Sequence, residues 1–287
     1  MSARRYLLAM PVTRFAPAPT GYLHLGHVVS AIWVWGLARS REARVLLRIE
    51  DHDRGRCRPE YEQALLEDLG WLGFIPDHST AAALRQSTRG ARYAERLTDL
   101  EARGLVYPCD CSRGDIGHEP RYPGTCRTRD LDPRLIAGRR VRIEPGVESF
   151  DDLRLGPQSQ EPEAQCGDFL LRDRSGNYTY QFCNVVDDVD QGVDLVIRGE
   201  DLLDSTGRQL RLRRLLGGDT PPHYLHHPLV RGADGRKLSK SDGSTGVREL
   251  RAAGHRAEDV LGRAARLAGL HPSGAPIEAH ALAALFG

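Results

Sequence analysis

The stretch VTRFAPAPTGYLHLGH, residues 12–27, predicts a β-strand, a tight turn and the start of an α-helix. Val12 to Ala16 has the composition of a short strand, which runs into a turn at Pro17 and Pro19. From Gly26 to Arg39 the apolar residues recur at helical spacing. A strand, a turn and a helix in this order form the opening unit of an α/β fold.

The same alternation continues along the chain. A second strand is predicted from Val45 to Ile49, and a helix begins at Pro59, because proline is favoured in the first helical turn. The further predicted elements are a helix at about Ala91–Arg103, a strand at Leu105–Tyr107, α/β segments at Phe169–Arg172, Tyr178–Val186 and Asp194–Arg198, and helices at about Ser205–Leu216 and around 260–268. This order predicts an α/β fold with a doubly wound, mostly parallel sheet, whose ligands bind at the carboxyl ends of the strands.

The composition divides the chain into four regions. Residues 1–107 and 166–236 carry the alternating pattern and are predicted to be two halves of one α/β domain. Residues 108–165 interrupt that pattern and are rich in Pro, Gly, Arg and Asp, which indicates an inserted subdomain. Residues 237–287 are predicted to form a loop and a short helical C-terminal region.

Charge and hydropathy exclude several classes of protein. Lys and Arg number 40 and Asp and Glu number 39, so binding to nucleic acid by bulk charge is not expected, although the basic strip Arg208–Arg214 is a local candidate. No apolar run approaches the roughly 20 residues of a membrane helix, and no signal segment is recognisable. The scattered and clustered cysteines suit a reducing compartment. We therefore expect a cytoplasmic protein with no membrane contact, and a monomer.

Two short motifs are candidates for phosphate chemistry. His24 and His27 stand at a predicted helix start, where backbone N–H groups and the helix dipole favour an anion, and their imidazoles can donate to phosphate oxygens. Lys237 and Lys240 lie in KLSKS, residues 237–241, and lysines suit polyphosphate as compact charges. Either motif alone is compatible with an ordinary charged surface. Together they indicate stabilisation of a phosphate under nucleophilic attack.

The motifs HLGH and KLSKS resemble the HIGH and KMSKS signatures of the class I aminoacyl-tRNA synthetases. RFAPAPTG (14–21), LLRIEDHDR (46–54) and YTYQFCNVVDDVDQGVDLVIRGEDLL (178–203) are similar to the glutamyl group of that family. Residues 242–287 are too few for the anticodon-binding region of a glutamyl-tRNA synthetase, so the chain most resembles the shortened branch, the glutamyl-Q tRNA(Asp) synthetases. The resemblance implies a Rossmann-like ligase that activates L-glutamate with ATP and transfers it to the queuosine base at the wobble position of tRNA(Asp).

The charged groups of glutamate determine which residue types are expected around it. Glutamate has two carboxylates and one ammonium group, so its pocket should contain arginine and an acid. Arg14 and Arg198 are predicted to bind carboxylates, Glu50 to bind the ammonium group and Tyr180 to donate its hydroxyl to a carboxylate. In the resembled family serine usually occupies the position of Ala18, so one hydroxyl of the expected pocket is missing here and the backbone is left to serve in its place.

The resemblance also implies catalytic roles for His24, His27, Lys237 and Lys240. The histidines are expected to contact the ATP phosphates, with Mg²⁺ bridging them, while Lys240 steadies the leaving pyrophosphate and Lys237 assists. A carboxylate oxygen of glutamate attacks the α-phosphorus and forms glutamyl-adenylate. This step needs no general base, because the carboxylate is already ionised near neutral pH.

A cysteine cluster in the insert predicts one structural Zn²⁺. Cys109, Cys111 and Cys126 supply three thiolates, and tetrahedral zinc takes four ligands. Ligand chemistry alone suggests His118 as the fourth ligand, whereas the resembled family has Tyr-x3-Cys and so implies Tyr122. A small insert with few apolar residues gains folding free energy from such a metal.

Three alternative functions remain open at this stage. The chain could be the catalytic half of a glutamyl-tRNA synthetase, which would need tRNA before it activates glutamate. It could be a non-catalytic tRNA-binding module, although the intact charged residues argue against that. A small-molecule adenylating enzyme would need neither the zinc insert nor a glutamate pocket. The insert and the strip Arg208–Arg214 are candidates for tRNA contact.

Overall fold

The computed structural model describes residues 10–53, 55–77, 84–116, 121–132, 134, 136–218, 220–230 and 246–287. The strands are β1 Val12–Phe15, β2 Arg44–Leu47, β3 Val106–Cys109, β4 Gly138–Val141, β5 Glu148–Asp152, β6 Gly156–Gln160, β7 Leu170–Arg172, β8 Leu195–Gly199 and β9 His223–His227. The helices are α1 Leu25–Ser40, α2 Pro59–Trp71, α3 Gly90–Ala102, α4 Arg113–Ile116, α5 Pro162–Cys166, α6 Tyr180–Asp190, α7 Thr206–Leu215, α8 Val247–Ala252 and α9 Ala257–Leu267. Short 3₁₀ segments cover Gln86–Thr88, Glu200–Ser205 and Ala279–Phe286.

A mostly parallel sheet forms the centre of the molecule, as the alternating pattern predicts. β1 pairs with β2 in parallel, and β8 pairs with β9 in parallel. The two pairs are neighbours, since the Asp194 N–H donates to the Val12 carbonyl at 3.1 Å. β5 joins β9 in parallel, and β6 completes the edge as an antiparallel strand. The predicted α/β fold class is therefore confirmed.

A second, smaller sheet contains β3, β4 and β7, all antiparallel. Parts of the predicted insert are thus divided between two sheets, because β4 pairs with β3 and β7 whereas β5 and β6 extend the central sheet. The boundaries at residues 108 and 165 stay a prediction. The segment Tyr178–Val186 lies mostly in helix α6.

Helix α1 packs in the core beneath the site and confirms the helix predicted from Gly26 to Arg39. It is buried on most sides, which its run of Val, Ile, Ala and Trp residues explains. The C-terminal 3₁₀ segment crosses it at Gly36, where a Cβ atom would come within 2.2 Å of the Phe286 ring. No helix of the described residues is long and apolar enough to cross a membrane.

Candidate functional site

A cavity of about 750 Å³ opens at the carboxyl ends of β1 and β8. Parallel strands end at the same edge of a sheet, so the residues that follow them meet there. The cavity wall contains five of the residues predicted to bind substrate and one of the two predicted histidines: Arg14, Ala18, Glu50, Tyr180, Arg198 and His27. Residues 12–27, 46–54 and 178–203 therefore converge on one site.

The two histidines cap helix α1. The Nδ1 atom of His24 accepts a hydrogen bond from the Gly26 N–H, and Nδ1 of His27 accepts one from the His24 N–H, both at 3.1 Å. Because each Nδ1 accepts, the proton of each neutral ring is on Nε2. Gly26 is required here for a reason that the sequence does not reveal: a Cβ atom would lie 2.9 Å from Cε1 of His24.

Beneath the cavity lies a buried network of charges. Arg48 is fully buried and donates to Asp188 at 2.7 Å and to Glu50 at 3.3 Å, and Arg14 contacts the same Asp188 oxygen at 3.0 Å. Asn184 donates to Glu50 at 3.2 Å. Burial by itself would raise the pKa of Asp188, but the charges of Arg14 and Arg48 lower it below its ordinary value. This network fixes the positions of the Arg14 and Glu50 side chains.

Sequence reasoning missed Arg48, Asn184 and Asp188. All three lie inside the motifs LLRIEDHDR and YTYQFCNVVDDVDQGVDLVIRGEDLL, so the signal was present. A single arginine between apolar residues is hard to interpret, because its counter-charges come from a helix 140 positions away in the sequence.

Arg198 is buried among neutral groups. Its Nε donates to Nε2 of His226 at 3.0 Å, Nη1 to Gln209 at 2.6 Å and Nη2 to Thr206 at 2.8 Å. Within the described residues it forms no ion pair, and burial lowers the pKa of its guanidinium. A buried cation of this kind is stabilised by an anionic ligand.

Neutral His226 positions the side chain of Arg198. Because Nε2 accepts from Arg198, the proton lies on Nδ1 and is donated to Asp152 at 2.7 Å. Burial and the nearby Arg198 charge lower the pKa of His226 to about 4, although Asp152 acts in the opposite direction. Sequence reasoning missed this support as well, since β5 and β9 are remote from each other in sequence.

The lowered pKa of His226 predicts a loss of stability at acid pH. Between pH 6.5 and about 4 the unfolded chain protonates this histidine while the folded chain does not, so the free energy of unfolding decreases. From pH 7 to pH 5 the parent chain should lose about 2 kcal/mol more than the variant His226→Gln in urea unfolding. Above pH 6.5 the histidine adds no pH dependence. Equal losses in the two proteins would contradict this assignment.

Tyr180 begins helix α6 and faces the cavity. Burial, together with the nearby Glu50 carboxylate, raises the pKa of its hydroxyl, which therefore stays protonated and can donate a hydrogen bond. Ala18 contributes backbone to the turn, where its carbonyl accepts from the Thr20 N–H at 2.8 Å. Lys237 and Lys240 lie outside the described residues, as does His118.

The three cysteines of the insert form a cluster that could bind zinc. Their sulfur atoms all lie within 4.8 Å of one another, and those of Cys111 and Cys126 are 3.4 Å apart. Tetrahedral zinc with bonds of about 2.3 Å sets its sulfur atoms about 3.8 Å apart, so the donors fit the ion. The Tyr122 hydroxyl lies 3.5 Å from the sulfur atoms of Cys109 and Cys111, which places it beside the cluster. Of the other cysteines, Cys166 and Cys183 are buried elsewhere and Cys57 lines the cavity.

The strip Arg208–Arg214 is partly neutralised in the fold. Arg211 and Arg214 both pair with the buried carboxylate of Glu148. Arg213 donates to the Thr220 carbonyl at 3.1 Å. The strip Arg208–Arg214 therefore has less unpaired positive charge than its sequence suggests.

Comparisons with known proteins agree with the geometry. The family described as tRNA synthetases class I (E and Q), catalytic domain, matches residues 11–123 and 139–277. A glutamyl-Q tRNA(Asp) synthetase from Nitratidesulfovibrio vulgaris is 42% identical over 92% of this chain and 88% of its own. Glutamate–tRNA ligase 2 from Alkalilimnicola ehrlichii is 42% identical over 91% of this chain but only 59% of its own.

A solved glutamate tRNA ligase from Elizabethkingia meningosepticum has a similar structure. Its TM-score is 0.80 at 25% identity, and the match covers 95% of this chain and 64% of that one. The family match spans most of the chain and includes every cavity residue discussed above. This chain therefore belongs to the class I tRNA synthetases (E and Q) and is an aminoacyl-tRNA ligase family member.

Proposed function

We propose that the chain activates L-glutamate with ATP and transfers it to the queuosine base of tRNA(Asp). The observation that carries the proposal is Arg198, a buried cation whose hydrogen-bond partners are all neutral. A carboxylate bound against it would compensate its charge. Glutamate has two carboxylates for Arg198 and Arg14, whereas an amino acid with a neutral side chain has one.

The proposal assigns each charged group of glutamate to a residue of the cavity. Arg198 and Arg14 bind the carboxylates, and Tyr180 donates its hydroxyl to one of them. Glu50, held by Arg48 and Asn184, accepts the ammonium group. The turn at Ala18 contributes backbone to the same wall. In these contacts the attacking carboxylate of glutamate stays ionised, as activation requires.

ATP is proposed to bind at the N-terminus of α1. There the helix dipole and the Nε2 protons of His24 and His27 favour phosphate oxygens. Lys240, assisted by Lys237, is proposed to stabilise the leaving pyrophosphate. Mg²⁺ bound with ATP would screen the phosphate charges. Catalysis then depends on positioning and charge stabilisation rather than on proton transfer.

Zn²⁺ is proposed to bind Cys109, Cys111 and Cys126, with Tyr122 as the fourth ligand. Support comes from the 3.5 Å distances between the Tyr122 hydroxyl and two of the sulfur atoms. The guanidinium of Arg140 stacks on the Tyr122 ring at 3.7 Å and its Nε donates to Cys109 at 3.2 Å. A cation in this position stabilises anionic ligands.

The acceptor is supported by the relatives named glutamyl-Q tRNA(Asp) synthetase, of which this chain matches 76% to 88% of the length. The second candidate acceptor is the 3′ end of a tRNA, as the name of the Alkalilimnicola ligase indicates. Both reactions share the adenylate and differ only in the hydroxyl that attacks it. The chain spans 59% of that ligase, whereas it spans 88% of the first relative.

The acceptor can be tested directly. Radiolabelled glutamate and ATP are incubated with tRNA(Asp) that carries or lacks queuosine, and nuclease digestion locates the label. We expect label only on queuosine-containing tRNA, on the base at the wobble position. Label on the 3′-terminal adenosine, or equal labelling of both tRNAs, would contradict the proposed acceptor and support the second candidate.

A further inference from the structure

His52 faces the cavity from the loop that follows β2, and glutamate activation has no use for it. Its Nδ1 atom lies 2.6 Å from Oε1 of Gln86. Its ring lies beside that of Tyr180, with the centroids 6.5 Å apart. Among the described residues, none forms a hydrogen bond with Nε2. The ring is therefore anchored at one nitrogen, and the other remains available to a ligand.

The hydrogen-bond partners determine which nitrogen carries the proton. Asp187 is buried and paired with Arg89, and its carboxylate can only accept hydrogen bonds. Gln86 must therefore direct its amide NH₂ to Asp187, at 2.8 Å, and its carbonyl to His52. A carbonyl only accepts, so Nδ1 of His52 must donate. In neutral His52 the lone pair consequently lies on Nε2.

The two steps of the proposed function differ in their need for a base. In activation the nucleophile is a carboxylate, which is already ionised. In transfer the nucleophile is a hydroxyl, which must lose its proton as it attacks. Among the described groups of the cavity, Glu50 is held by Arg48 and Asn184 and is assigned to the ammonium group. A neutral imidazole with its lone pair directed to a ligand is a suitable base.

We propose that His52 is the general base of the transfer step, an inference that rests on the proposed function. The acceptor hydroxyl attacks the carbonyl carbon of glutamyl-adenylate and its proton passes to Nε2 of His52. The new ester C–O bond forms, the bond from the carbonyl carbon to the phosphate oxygen breaks, and AMP leaves. Asp187 and Gln86 act as positioning residues, because they fix the tautomer and the orientation of the ring.

The charged groups near His52 are largely paired with one another. The ionisable groups of its own loop, of α6 and of the shared cavity wall are Glu50, Asp51, Asp53, Arg56, Tyr180, Asp187, Arg14, Arg198 and Asp201. Asp53 pairs with Arg56, and Asp51 accepts from the Ser87 N–H at 2.7 Å. Arg48 pairs with Glu50 and Arg89 with Asp187, so these carboxylates already have their own counter-charges.

The test compares the two steps in the same protein. The variants are His52→Asn, which keeps a donor for Gln86, and His52→Gln. His255→Asn, at an exposed position between α8 and α9, is the matched control. Glutamate-dependent ATP–pyrophosphate exchange measures activation. Single-turnover transfer from preformed glutamyl-adenylate to queuosine-containing tRNA(Asp) measures the second step, from pH 5.5 to 8.

We expect exchange to stay within about threefold of the parent and transfer to fall by about 10²–10⁴-fold in both His52 variants. Transfer by the parent and by the control should rise with pH across the range where histidine deprotonates, and both His52 variants should lose this rise. An unchanged transfer rate, an equal fall in both steps or a persistent pH profile would overturn the inference. If the parent shows no glutamate-dependent exchange or no transfer, the proposed function fails, and the inference with it.

Discussion

Replacing Arg198 with methionine should lower kcat/KM for glutamate in ATP–pyrophosphate exchange by about 10²–10³-fold, because the variant leaves a substrate carboxylate without its buried cation. In the part of the chain that the structure describes, Arg198 has only neutral hydrogen-bond partners, so a bound anion would balance its charge. Arg198→Lys should also be impaired, since lysine lacks the planar fork that matches a carboxylate.

The stability of the same variant separates substrate binding from a structural role. Methionine removes a buried cation whose desolvation is unfavourable, and this offsets the hydrogen bonds that are lost. The free energy of unfolding should therefore change by no more than about 1 kcal/mol. Arg134→Met, at an exposed position, serves as the matched control for both measurements. Nearly parental exchange in Arg198→Met, or a fall in activity explained by unfolding, would contradict the assignment.

Loss of zinc should destabilise the insert strongly. The apolar cluster around the cysteines is small and has four buried members, Tyr107, Cys109, Tyr122 and Cys126, of which three are proposed zinc ligands. The insert therefore depends on the metal for folding free energy. We expect Cys126→Ser to contain less than one zinc per chain and to lose about 3 kcal/mol or more, a decrease in Tm of about 6–12 °C.

The matched control for the zinc site is Cys57→Ser, since Cys57 lies outside the cluster. It should keep one zinc per chain by elemental analysis, and a chelator should lower its Tm as much as that of the parent. Tyr122→Phe should bind zinc more weakly than the parent. A zinc-free parent protein, or a full complement of zinc in Cys126→Ser, would contradict the proposed ligand set.

The parts of the site that the sequence predicts are those that follow from periodicity and topology. Apolar spacing from Gly26 to Arg39 predicts α1, and buried strands predict a parallel sheet. Because parallel strands end at one edge, Arg14, Glu50 and Arg198 were expected together, and the structure places all three on one cavity wall. The close spacing of the insert cysteines likewise predicts their cluster.

The parts that the sequence does not predict depend on partners remote in the chain. In the sequence Arg48 is only an isolated charge within a strand motif. Its partner Asp188 lies beside it only in the folded structure. The support of Arg198 by His226 and Asp152 needs the pairing of β5 with β9. The tautomer of His52 is set by Gln86, which lies 34 residues further along the chain. Gln86 is in turn oriented by Asp187, another 101 residues further on. No local pattern encodes these contacts, because they form only when the sheet assembles.

Glutamate-dependent ATP–pyrophosphate exchange in the absence of tRNA tests the central claim, which is that the cavity binds an amino acid with two carboxylates beside ATP. We predict exchange with L-glutamate, little with L-glutamine, which has no second carboxylate for the two arginines Arg14 and Arg198, and none in Lys240→Ala. No exchange with glutamate even when tRNA is added, or equal exchange with glutamine, would contradict the account, whereas exchange that requires tRNA would support the glutamyl-tRNA synthetase alternative.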